Sequence, residues 1–170
     1  MGFVGDSHAR GSGFTLVEIL VVIVILGLVA GLAVALVGPD ERDTSAREAR
    51  SFAGALEYAA ARAQWRNEML GVSADHRMLR YWRRDVANDR WIVLDDDDVL
   101  RTHELPVPLD AMALAYAGRA VPANAIVPLR PSGRNDPFAF VLATPTYRTT
   151  IALDPLSRAS IVGPERNEAP

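Results

Sequence analysis

The hydrophobic pattern of the chain begins with an unbroken run. From position 19 to 37 no side chain carries a charge or a hydrogen-bonding group, and these 19 residues would make a helix of about 28 Å, close to the thickness of a bilayer core. The run is apolar on every side, so it predicts a membrane-spanning helix over 14–38 rather than a one-sided core helix. A second pattern follows it. Ala49, Phe52, Ala53, Leu56, Ala60 and Ala63 recur at helical spacing, while Arg47, Arg50, Glu57 and Arg62 fall away from that stripe. This predicts an amphipathic helix over 39–68 whose small-residue face lets a sheet approach closely. Tyr58 and Trp65 lie seven apart, off the stripe; they suit either contact with a neighbouring subunit or packing on their own domain. Gly38-Pro39 punctuates the two helices, and Ser45 with Glu48 has capping-box spacing, which leaves a break near Thr44 open.

Beyond Met69 helical periodicity gives way to short alternating segments. Strands are expected at 69–73, 78–82, 91–94, 99–104, 112–116, 138–143, 147–153 and 159–162, separated by turn-forming clusters at 85–89, 95–98, 132–137 and 154–158. Pro106, Pro108, Pro122, Pro128 and Pro131 break the middle of this region into loops and edges. Helices followed by closely spaced strands predict an α+β fold, with a long N-terminal helix packed on an antiparallel sheet over 69–163 and a short tail over 164–170. The 132 residues beyond position 38 are enough for a two-layer core. No internal repeat is visible.

Glu18 stands at the start of the apolar run. A carboxylate at helix depth costs about 2.5–3.5 kcal/mol on translocon scales, less near the interface. The run itself supplies no basic side chain, but a cut after Gly13 would create an α-amino group four residues from Glu18. A carboxylate snorkelling to the headgroups is the plainer alternative. Arg10 and the amino terminus, against Asp6, lie before the run, and Asp40, Glu41 and Asp43 lie after it against Arg42 alone. That bias orients the start to the cytoplasm and the bulk outside. Gly27 and Gly31 form a GxxxG pair, a spacing that allows two membrane helices to approach closely, although glycine is also common in such helices.

The stretch Gly13-Phe14-Thr15-Leu16-Val17-Glu18 before the apolar run closely resembles the class III signal of type IV pilins and type II secretion pseudopilins. The resemblance implies cleavage after Gly13 by a prepilin peptidase, methylation of the new amino group at Phe14, and pairing of Glu18 with the N-terminus of a neighbouring subunit. The leader departs from the pattern where Ser12 precedes the glycine and Arg10 is the nearest basic residue. Pro131-Ser132-Gly133-Arg134, the hairpin over 138–153 and the last strand resemble the ending of H-type minor pseudopilins and of FimT-like pilins. Membership would imply a pilin-like fold and a place in the type II secretion pseudopilus, a short filament that drives export of folded proteins. It would also imply a single-pass inner-membrane location with the head in the periplasm. Other major and minor pseudopilins, the prepilin peptidase and the inner-membrane assembly platform would be partners. A FimT-like type IV pilin of pilus assembly or DNA uptake is the alternative, and a signal-anchored periplasmic enzyme or binding domain is the alternative of a different class.

Composition narrows the chemistry. Eighteen basic residues, all arginine, face 21 acidic ones for a net charge of −3, so the overall field favours no polyanion. The absence of cysteine excludes disulfides and thiol chemistry. Asp95, Asp96, Asp97 and Asp98 lack the alternating ligands, glycine and distant glutamate of a calcium loop, so they read as a solvated hairpin tip and no metal is expected. Positions 76–84 mix arginine with Tyr81 and Trp82 as nucleic-acid surfaces do, but 75–98 holds seven Asp against five Arg, which disfavours DNA. The three histidines are scattered, and no nucleophile elbow, phosphate loop or dinucleotide fingerprint occurs. No catalytic residue and no cofactor are expected.

Overall fold

A computed structural model describes residues 16–36 and 40–167, with side chains of the first helix described through residue 31. Gly13 and Phe14 lie outside the described residues, as do both ends of the expected 14–38 span. The chain divides into an N-terminal unit ending at Gly38 and a head, Pro39–Pro170.

In the N-terminal unit, helix α1 (Leu16–Leu36) carries Glu18 in its first turn and no other charged residue. Its described side chains are all exposed. Among the described residues no helix is long and apolar enough to cross a membrane, the sequence-predicted span running past them on both sides.

In the head, helix α2 (Glu41–Arg66) begins at Asp40, whose carboxylate accepts from the Arg42 N–H at 3.0 Å. Glu41 and Asp43 in the first turn and Arg66 in the last suit the helix dipole. The helix ends at Asn67, which turns left-handed (φ 51°) and returns its N–H to the carbonyls of Ala63 and Gln64. The break allowed near Thr44 does not occur. Ser45 is instead drawn into the core, where its hydroxyl meets that of Thr149 at 2.8 Å.

Ten antiparallel strands follow: β1 (Leu70–His76), β2 (Met78–Asp85), β3 (Arg90–Val93), β4 (His103–Glu104), β5 (Asp110–Tyr116), β6 (Arg119–Ala120), β7 (Val127–Leu129), β8 (Phe138–Ala143), β9 (Tyr147–Leu153) and β10 (Ala159–Arg166). The main order is β10-β9-β8-β5-β1-β2-β3, with β4, β6 and β7 paired to β2, β5 and β1. The expected strand over 99–104 shrinks to its last two residues, because the preceding segment is tied to α2 by side chains. The last strand, expected over 159–162, runs on to Arg166, past the expected end of the head at 163. It bulges between Val162 and Glu165 at Gly163, whose φ of 103° and whose approach to the Arg148 carbonyl, 2.7 Å from a Cβ placed there, exclude a side chain.

The small face of α2 sits on this sheet. Ala49, Ala59, Ala60 and Ala63 are fully buried, and Phe52 meets Phe140 of β8 edge to face with ring centres 5.3 Å apart. Methyl groups bring the helix backbone close enough for Leu56 to enter the same core as Leu129, Leu142 and Ile151. Replacing Ala60 by leucine should therefore overpack the layer and cost about 1–3 kcal/mol. Urea unfolding of the detergent-solubilised chain should show a lower midpoint at unchanged slope, and an unaltered midpoint would contradict this packing.

Candidate functional site

Glu18 is placed in the first turn of α1, where a carboxylate is favourably aligned with the helix dipole. Gly27 and Gly31 are on the same helix, and a methyl added at either meets nothing within 4 Å. Among the described residues, therefore, nothing packs against either glycine.

The pair Tyr58 and Trp65 is split. The Tyr58 hydroxyl donates to Asp97 at 3.0 Å, and that bond, with burial, raises the phenol's pKa. Tyr58 thus serves its own head. Trp65 remains 78% exposed on α2.

Arg62, expected on the polar face, is buried with a relative exposure of 2%. Its Nε donates to Glu68 at 2.9 Å, Nη1 to Asp97 at 2.5 Å and Nη2 to Asp96 at 3.2 Å. Burial works against the charge, but the bonds to Glu68, Asp97 and Asp96 outweigh it and hold the guanidinium's pKa above its ordinary value. For Asp97, burial alone would raise the pKa. The N–H groups of Val99 and Leu100, together with Arg62 and Tyr58, overcome that and hold it below the usual carboxylate range. The aspartate run is therefore not a solvated hairpin tip: its third residue is a strut that fixes the 95–102 segment to α2. Sequence periodicity misses Arg62 because its partners are 34 and 35 residues away; the one local sign was four carboxylates in succession.

The arginine-rich stretch is neutralised in place. Arg77 pairs with Glu104 at 2.9 Å, Arg80 with Asp75 at 3.8 Å, Arg83 with Asp96 at 3.6 Å, and Arg84 with Asp89. Tyr81 is buried, and Trp82 donates its indole N–H to Ser73 at 2.8 Å. Tyr81 is thus withdrawn from stacking, and the guanidinium groups are already matched by carboxylates, so the geometry disfavours a nucleic-acid surface. His76 lies 3.7 Å from Asp110 and His103 3.0 Å from Glu48. Among the described residues no group of three or more His, Asp or Glu is arranged to hold a metal.

Residues 48–157 match the family model of the type II transport protein GspH, and residues 9–34 match the prokaryotic N-terminal methylation motif. The type II secretion system protein H of Pectobacterium carotovorum is 28% identical over 102 residues, 60% of this chain and 48% of that one. The protein of the same name from Aeromonas hydrophila is 30% identical over 107 residues, 62% of this chain and 57% of that one. The matched region thus spans about half the length of these relatives. The crystal structure of the minor pseudopilin EPSH from Vibrio cholerae shares the fold with a TM-score of 0.59 at 17% identity, covering 75% of this chain and 99% of that one. The solution structure of Escherichia coli GspH gives 0.56 at 19%, covering 75% and 95%.

Removing the buried cation should leave Glu68, Asp96 and Asp97 without their shared guanidinium, so Arg62→Ala is expected to cost about 3–5 kcal/mol. The sign of the pH dependence follows from Asp97. Its folded pKa is depressed, so its stabilising contribution is complete above the unfolded value of about 3.9 and is lost as pH falls through the folded value. Unfolding of the two proteins between pH 7 and pH 3 should show the deficit of Arg62→Ala narrowing below about pH 4. A deficit constant with pH would remove the carboxylates from the explanation.

Proposed function

Because the chain belongs to the GspH family of type II transport proteins, we propose that it is a minor pseudopilin of a type II secretion system, joining a periplasmic pseudopilus that drives export of folded proteins. One observation carries the reading: a GspH match over the head and an N-terminal methylation motif over 9–34 occur on the same chain. A prepilin peptidase cuts after Gly13, and the new amino terminus of Phe14 is methylated. The mature chain begins four residues before Glu18, and the apolar helix holds it in the inner membrane with the head in the periplasm. Glu18 pairs with the methylated N-terminus of a neighbouring subunit as the filament grows. The open faces at Gly27 and Gly31 support close helix contact in the filament, and exposed Trp65 supports a contact between heads. The partners are other major and minor pseudopilins and the inner-membrane assembly platform. The head contributes binding surface rather than chemistry, in keeping with its family.

Deleting the gene in its native host should leave folded exoproteins in the periplasm, and the wild-type chain should restore their release. Glu18→Ala should be made and inserted at normal level yet be depleted from sheared or crosslinked filaments. Secretion unaffected by the deletion, or normal filament entry by Glu18→Ala, would contradict the respective part of the proposal.

A further inference from the structure

A cleft of about 450 Å³ opens between α2 and the segment leading into β4. Its size suits a few side chains of a partner. Phe52 of α2 with Leu79 and Tyr81 of β2 supply an apolar lining, and all three are buried members of the head core. Val99 lies on its rim and is half exposed. The wall that carries Val99 is fixed at both ends. Asp97 is bound to Arg62 and Tyr58 on one side, His103 meets Glu48 on the other, and Leu100 between them is fully buried. The cleft is therefore preformed.

Two features point to an occupant. Gly54 lines the cleft within a 26-residue helix, is exposed, and a methyl added there meets nothing within 4 Å. Glycine weakens a helix interior relative to alanine, and nothing in the head needs its absent side chain, so it leaves a notch for something outside the chain. The second feature is charge. Arg50 and Arg101 both line the cleft, and among the described residues neither has an ion-pair partner, unlike Arg62, Arg77, Arg80, Arg83 and Arg84. Of the carboxylates on the rim, Glu48 is engaged by His103, which leaves Asp98 alone against two guanidinium groups.

We propose that this cleft docks a segment of a neighbouring pseudopilin head in which a carboxylate stands beside an aliphatic side chain. The aliphatic group fills the notch at Gly54 over Phe52, Leu79 and Tyr81, and the carboxylate is held by Arg50 and Arg101. The inference rests on the pseudopilin reading and specifies which surface meets the partner.

The test uses the full-length chain in its native host, with a photoreactive benzophenone residue in place of Val99. Illumination should yield an adduct with another pseudopilin, and the crosslinked peptide should contain Asp or Glu next to Leu, Ile or Val. Gly54→Leu in the same chain should cut the adduct at least ten-fold while subunit level and melting temperature stay equal or rise. Arg50→Ala combined with Arg101→Ala, both exposed and outside the core, should also weaken it. No adduct with any pseudopilin, an adduct with another class of protein only, or one that survives Gly54→Leu would overturn the docking site. If deletion of the gene still blocks secretion in those cases, the pseudopilin reading stands and the cleft alone has failed; if deletion leaves secretion intact, the functional reading itself has failed.

Discussion

Close approach of α2 to the sheet is the constraint on which the head is built. Four alanines, Ala49, Ala59, Ala60 and Ala63, have no exposed surface, and larger residues there would lift the helix away from β8 and β9. That lift would undo contacts far apart in sequence: the Phe52–Phe140 ring contact, the buried hydroxyl pair of Ser45 and Thr149, and Leu56 among the leucines of the sheet. The same small face has a second consequence. It needs no long apolar side chain on the opposite side of the helix, so that side is free to carry arginines, an open glycine and one tryptophan. One element thus supplies the core of the head on one side and an exposed surface of arginines, an open glycine and a tryptophan on the other.

Charge in the head is used locally. Most arginines of the β1–β3 region are matched by a carboxylate on the same or the next strand, and Arg62 collects three from two segments. A surface neutralised in this way has little to offer a polyanion, since affinity of that kind depends on releasing counterions with unpaired positive charge. The buried pairing of Arg62 fixes a geometry, because its guanidinium can satisfy Glu68, Asp96 and Asp97 together only when the 95–102 segment lies against α2. The segment then contributes one wall of the cleft, which carries a core interaction through to the surface.

Much of the fold was legible in the residue pattern, and the exceptions have physical causes. Strands over 138–143 and 147–153 appear with the expected bounds because the first is a short continuous apolar run, the second alternates, and both are flanked by turn residues. β7 was hidden by Pro128, which reads as a breaker; the strand is short and lies outside the main run of the sheet, where a missing N–H is tolerated. β6, two residues long, carries too little pattern to be seen. Arg62 was assigned to the polar face because a charge at a helix position is ordinarily exposed, and only the folded chain brings Asp96 and Asp97 to it. Tyr58 was visible as an aromatic off the stripe, but whether it faced a neighbour or its own head depended on the same loop. Gly54 could be read as a glycine and nothing more until the space around it was known.

At the other end of the chain the logic is electrostatic. Glu18 stands in the first turn of an apolar helix, and the proposed cut before Phe14 would create a positive charge four residues away from it. Mass spectrometry of the protein purified from its native membrane tests this most directly. The account predicts a mature chain that begins at Phe14 with a methylated amino group. A chain that retains residues 1–13, or one that starts at an unmodified phenylalanine, would contradict it.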